Sequence, residues 1–228
     1  MRSGLAGDGI LRHMRHNPKY AATDVQVVRS LIAESPWATI VSHAEDGMVA
    51  SHCPVLLDDR SDQLAVVTHV GRPDEELHHF GASEMLLIVA GSHGYISPSW
   101  YTKHATPVPT WNFSVAHCYG IPEILDVEEN LRVLTRLVEH FERQVDAPVA
   151  LDRQVGARLA TKTVGIRLAI THFVCKVKMS QDKDPQTQRQ VLEALRDPGP
   201  YSNPKLADDM QRAPTGDART TGERRHLT

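Results

Sequence analysis

The sequence predicts a mainly β fold with α-helices, an antiparallel barrel or sandwich flanked by helices, and three observations carry that expectation. Between Trp37 and Leu125, six segments of strand length are apolar or alternate apolar with polar. Only one short helical segment interrupts them, and the clearest helix follows them. At 228 residues, 41% apolar and 23% charged, the chain can bury a core without metal or disulfide staples.

The elements follow in order. Residues 1–13 show no sustained periodicity and read as a flexible extension, with Met14 as an alternative start. A helix is expected from Val25 to Glu34, with Asp24 as N-cap, Val28, Leu31 and Ile32 on its apolar face and Pro36 as its stop. WATIVSH from Trp37, a turn at Glu45-Asp46-Gly47 and MVASHCPVLL form a hairpin, because Asp-Gly tolerates the positive φ of a tight turn. Trp37 is expected in the core. LAVVTHV (64–70) is the next strand, and Pro73 opens the short helix PDEELHHF with acids in its first turn. EMLLIVAG (84–91), GYIS (94–97) and WNFSVAHCYGIPEIL (111–125) complete the strand set.

A helix from Val127 to about Gln144 begins on the capping pair Asp126 and Glu129, with Leu131, Leu134, Val138, Phe141 and Val145 at helical spacing. A polar linker separates it from TVGIRLAI and THFVCKVKMS, which read as a second hairpin pair carrying Arg167, Lys176 and Lys178. Asp184-Pro185 caps a last helix with the stripe Val191, Leu192 and Leu195. Residues 14–210 thus form one domain, and 211–228 a polar, disordered tail.

Composition excludes several functions. No apolar run reaches membrane-spanning length and the first residues lack a secretory core, so a cytoplasmic protein is expected. Cys53, Cys118 and Cys175 are odd in number and widely spaced, which argues for buried free thiols. His52-Cys53 and His117-Cys118 cannot each chelate one ion, since strand neighbours point to opposite faces, so no metal site is expected. Residues 1–19 carry a net +3 and residues 210–228 a net +2, which leaves the body at −8 of the total −3. So acidic a body weighs against direct nucleic-acid binding, and the last helix has no helix partner that would make a helix-turn-helix. GxGxxG is absent, against an NAD-dependent dehydrogenase. Of thirteen histidines, His78, His79, His140 and His226 read as surface or structural residues.

Half of the twelve aromatic residues, Tyr95, Trp100, Tyr101, Trp111, Phe113 and Tyr119, fall within 25 positions. Flat aromatic walls with Ser97, Ser99, Thr110 and Asn112 beside them suit a planar ring with polar edges, or a loop covering the barrel mouth. GSHGYISPSWY followed by VPTWNFSVAHCYG resembles the signature of the PaiB-type FMN-binding negative transcriptional regulator family. MRHNPKYAATD, LIAESPWATIVSH, VASHCPVLLD and KVKMSQDK extend the resemblance over about residues 14–210. It implies an FMN-binding split barrel, a six-stranded antiparallel Greek-key barrel, working as a homodimer with the cofactor in a groove between subunits. Carried over onto this chain, the implied cofactor residues are His69, Arg72, Ser97, Trp100, Tyr101, Thr110, Trp111, Asn112, Ser180, Gln181 and Lys183. Arg72 and Lys183 could meet phosphate, and Asn112 and Gln181 ring edges. Where many members carry Arg-x-Asn-Pro after the strand histidine, this chain has Arg72-Pro73-Asp74-Glu75-Glu76, poor neighbours for a phosphate. Three readings stay open: an FMN-binding regulator; a haem enzyme of the piperazate synthase type, with His69 as axial ligand; and a cofactor-binding stress protein without direct DNA binding.

Overall fold

The computed structural model describes residues 14–15, 17–44 and 47–213. The expectations for residues 1–13 and 214–228, and for Glu45 and Asp46 of the first turn, lie outside the described residues. The described residues form ten strands and six helices in the order β1 (Ala21–Ala22), α1 (Val25–Glu34), β2 (Trp37–Ala44), β3 (Gly47–Pro54), β4 (Leu56–Leu57), β5 (Ala65–Gly71), α2 (Arg72–His78), β6 (Met85–Ile96), β7 (Thr110–Gly120), β8 (Pro122–Ile124), α3 (Val127–Glu142), α4 (Arg153–Lys162), β9 (Thr163–Ala169), β10 (His172–Lys178), α5 (Pro185–Arg196) and α6 (Pro204–Arg212). A 3₁₀ turn, Pro98–Trp100, lies between β6 and β7.

The strands form two antiparallel sheets, one of six in the order β1-β10-β7-β6-β2-β3 and one of four in the order β4-β5-β9-β8. The main core lies between them. Ile40, Leu87, Val89, Ala116 and Cys118 of the larger sheet meet Val66, Val70, Val164, Ile166 and Leu168 of the smaller, and Val28, Leu31 and Ile32 of α1 close one side. A second core, Ile96, Tyr101, Val191, Leu195, Leu206 and Met210, fills the space between the far end of β6 and the last two helices. A third lies under α3, where Val133 and Leu137 meet Leu56 and Val67.

The chain changes sheets four times, at β3–β4, β5–β6 (across α2), β7–β8 and β9–β10. The last two corners correct the expected single run from Trp111 to Leu125 and the expected pairing of TVGIRLAI with THFVCKVKMS. Consecutive residues make the final switch: Ile170 N–H donates to Leu64 O, and Thr171 N–H to Tyr119 O. Gly120 permits the β7–β8 corner, since a Cβ there would stand 2.2 Å from Ala169 O.

Three further expectations are corrected. Residues 153–162, read as linker, form α4, which buries only Gly156 and Ala160 and so carries almost no apolar signal. Of the expected α3 stripe only Leu134 is buried, joined by Asn130, Val133 and Leu137, while Phe141 is 40% exposed and Val145, past the helix end, 49%. The far turn of α3 extends beyond the sheet while Leu131 packs toward Gly156 of α4. Finally, α5 does have a helix partner, α6, which runs two residues past the expected domain end.

Asp58 is buried, and Arg167 Nε donates to its Oδ2 at 2.7 Å while Arg60 and Arg136 stand 3.7 and 3.8 Å away. Burial alone would raise its pKa, but the hydrogen bonds and charges of Arg167 and Arg60 bring it below the ordinary value. No described helix is long and apolar enough to cross a membrane.

Candidate functional site

The eleven expected cofactor residues fall into two groups. His69 on β5 and Arg72 at the start of α2 form the first. His69 lines a cleft of about 300 Å³ together with Ser51, Cys53, Gly71, Asp74 and Thr163. Burial lowers the His69 pKa, so its imidazole is neutral near pH 7, and its Nδ1 is buried without a hydrogen-bond partner. Arg72 does not point a free guanidinium at this cleft: Nε donates to Thr161 O at 2.7 Å, and one terminal nitrogen lies 3.5 Å from Glu75.

Behind the cleft runs a polar chain that sequence reasoning missed. Ser51 Oγ donates to Asp74 Oδ1 at 2.6 Å, and His78 Nε2 lies 2.9 Å from Ser51 Oγ and Nδ1 2.9 Å from Ser42 Oγ. Because the Ser51 proton goes to the carboxylate, Nε2 must be the donor and Nδ1 the acceptor from Ser42. His78 is therefore no surface residue but 1% exposed, with its pKa lowered by burial and only partly restored by Asp74. The one sequence signal was its place four residues after Asp74 on the helix that follows the strand histidine.

The second group gathers at the far end of the β6–β7 hairpin and the turn after β10. Ser97 caps the 3₁₀ turn, its Oγ accepting from Ser99 N–H. Rings of Trp100, Tyr201, Tyr95, Trp111 and His93 follow one another at centroid spacings of 5.0 to 6.5 Å, an aromatic wall to which Tyr201 was an unforeseen addition. Trp111, the fourth ring of this row, is 54% exposed. Tyr101 is buried, its hydroxyl donating to Val108 O, with Lys183 Nζ 5.2 Å from its ring centroid. Lys178 bonds Thr110 Oγ1. Burial lowers the Lys178 pKa, Asp182 opposes that shift, and the charges of Lys176 and Lys183 add to it, so three ammonium groups crowd one corner.

Three expected contacts face inward. Asn112 is fully buried, its Nδ2 donating to Ser180 Oγ at 2.9 Å and its Oδ1 accepting from the same hydroxyl. Ser180 is buried at φ 58°, in the left-handed region that turns the chain from β10 toward α5. Gln181 bonds backbone on both sides, with Met179 N–H and Val177 O. These three build the corner on which Thr110, Lys178 and Lys183 stand. Among the described residues no hydrogen bond, ion pair or ring contact joins the His69 group to the aromatic group.

Both groups border one surface. Residues alternating with the core positions of the six-stranded sheet, Val41, Leu86, Ile88, Phe113, Val115 and Val174, point away from the core and are only half-buried. α1, α2 and α6 all pack on this sheet from its core side, so among the described residues no helix covers the apolar strip on its outer face. Trp111 lies at one end of it. Trp37, expected in the core, is 61% exposed on β2 next to the edge strand β3, where it stacks on His52 beside the cleft.

Residues 14–172 match the family described as "Putative FMN-binding domain". Among curated relatives, the Protease synthase and sporulation protein PAI 2 of Bacillus subtilis is 27% identical over 199 residues, covering 85% of this chain and 95% of its own. Among solved structures, the flavocytochrome Anf3 of Azotobacter vinelandii superposes with a TM-score of 0.57 at 16% identity, over 73% of this chain and 72% of its own. The FAD and heme binding protein of Mycobacterium smegmatis gives 0.54, also at 16% identity, over 75% and 78%. The fold is thus that of the flavin-binding split barrels, realised as two sheets around one core.

Proposed function

The chain belongs to this FMN-binding domain family, and on that premise we propose that it is an FMN-binding regulatory protein of the PAI 2 type, working in the cytoplasm as a homodimer. The observation that carries this reading is the apolar outer face of the six-stranded sheet, bordered at one strand end by the aromatic wall and along its β3 edge by the His69 cleft. A bare strip of this kind is an association surface. A second copy seated on it by a two-fold axis would bring one subunit's aromatic wall toward the other's cleft, joining two groups that one chain keeps apart.

The residues present fit a flavin. Trp111, Tyr95 and Trp100 offer flat apolar contact to a planar ring, and His69 offers a neutral imidazole at its edge. With Lys176 beside them, Lys178 and Lys183 serve a phosphate better than the single Arg72, whose guanidinium is held by Thr161 O and Glu75, even though Asp182 stands 3.9 Å from Lys183. Bound FMN would supply a ring with two redox states, and a regulator of this design would respond to that state. Contact with nucleic acid is not part of the reading: on α6 Lys205 and Arg212 are paired with Glu34 and Asp209, so that helix presents mixed charge rather than a basic face.

The His69 imidazole favours a second reading, haem. A neutral, partly exposed histidine in a cleft whose other charge is the Asp74 carboxylate suits an axial ligand to iron as well as a flavin edge. Two neighbours in fold, by their names, handle haem as well as flavin. An absorption spectrum of the purified protein, followed by titration with FMN and with haemin, tests both readings. FMN binding that weakens about tenfold in Trp111→Ala and only about threefold to tenfold in His69→Ala is the expected result. A Soret band abolished by His69→Ala would transfer the assignment to haem, and binding of neither would overturn both.

A further inference from the structure

Two buried polar atoms without hydrogen-bond partners flank a single backbone position. One is His69 Nδ1 and the other is Asn130 Oδ1, on a side chain 1% exposed. His69 stands directly opposite Gly165 in the β5–β9 ladder, and opposed residues project from the same face with Cβ positions about 4.5 to 5.5 Å apart. A Cβ at Gly165 would lie 2.8 Å from Asn130 Oδ1 and 3.0 Å from Asn130 Cβ. The asparagine from α3 therefore occupies the space a side chain at 165 would fill, next to His69 on the same face.

Chemistry sets the direction of the pairing. Asn130 Nδ2 is committed to Ala160 O, Thr163 O and Thr163 Oγ1 at 3.0 to 3.1 Å, which fixes which end of the amide is the carbonyl. A carbonyl only accepts, and an imidazole nitrogen can satisfy it only when it carries the proton.

We infer that Asn130 is the positioning residue of His69: its Oδ1 accepts from Nδ1–H, directly or through a single water, and holds the imidazole as the Nδ1–H tautomer. Nδ1 is buried while the ring as a whole is partly exposed, so Nε2 is left as a bare acceptor facing the cleft. Resting on the reading of that cleft as a cofactor site, this selects the ligand chemistry His69 can meet. It takes a group that offers an N–H, or a metal with a vacant position, and it cannot donate to a ring carbonyl.

The tautomer is measured directly by two-bond ¹H–¹⁵N correlation on the full chain at pH 7.5, with His69→Gln to assign the signals. Wild-type His69 is expected as Nδ1–H, and Asn130→Ala is expected to return it to the Nε2–H form that predominates in free neutral histidine. Leu137→Ala, on the same helix, lowers the melting temperature and leaves the tautomer alone. A wild-type His69 found as Nε2–H overturns the inference, even if Asn130→Ala does not fold, and so does Nδ1–H persisting in that variant. Cofactor titration is read separately: Asn130→Ala weakens binding about tenfold, whereas failure of wild type to bind FMN or haemin overturns the cofactor reading and leaves the tautomer to be judged on its spectrum.

Discussion

Single residues set the protein's response to acid. His69 and His78 both have pKa values lowered by burial from the ordinary 6.5. Below about pH 6.5 the unfolded chain takes up protons on these imidazoles that the folded chain refuses, so folding stability is full above that pH and falls as the pH drops through it. Asp58, with its pKa held below 3.8, does not contribute to change in that interval. The melting temperature is therefore expected to fall between pH 6.5 and 5.5, and His78→Gln, which keeps a donor toward Ser51 and an acceptor toward Ser42, is expected to flatten part of that slope. A melting temperature constant over this interval would contradict the assignment of both imidazoles as neutral.

At the scale of elements, what the sequence disclosed depended on how much apolar surface each element buries. α1 and α5 were legible because three apolar residues on each recur at helical spacing behind a capping aspartate. α4 was not, because its contact with α3 is made by Gly156 and Ala160, which carry no periodic signal. Strand pairing was legible only within hairpins: β2 with β3 follows from the turn between them, but the sheet changes at Ile170–Thr171 depend on long-range bonds to Leu64 and Tyr119 that no local pattern encodes. The candidate site divides likewise, since the aromatic wall stood out by density while the chain from Ser42 to Asp74 draws on three elements. Gly165 is the sharpest test of element packing. Gly165→Ala forces α3 away from β9, because the added Cβ would meet Asn130 Cα at 3.1 Å as well as the side chain. A loss of about 1–3 kcal/mol in denaturant unfolding is expected, and an unchanged midpoint would show that α3 yields freely.

At the scale of the whole molecule, the proposed homodimer is tested on the outer face of the six-stranded sheet. Sedimentation at micromolar concentration is expected to give a dimer for the wild type and a monomer for Ile88→Glu, since a carboxylate at the centre of the strip would be desolvated without a partner. The same variant should lose cofactor affinity even though Ile88 belongs to neither half of the site. A wild-type monomer, or an Ile88→Glu dimer with intact binding, would remove the dimeric groove from the proposal.

The four sheet changes also bear on how the chain matures during synthesis. β1 near the start pairs with β10, so that Ala21 faces Lys176, and Arg212 of the last helix reaches back to Glu34 of the first. No large early segment can close its own core, because β5 lacks β9 and β7 lacks β10 until some three quarters of the chain has been made. Folding rate falls as contacting residues lie farther apart in sequence. A chain made from its first residue therefore carries the apolar faces of β5 and β7 without their partners until β9 and β10 emerge, and surface of that kind is aggregation-prone.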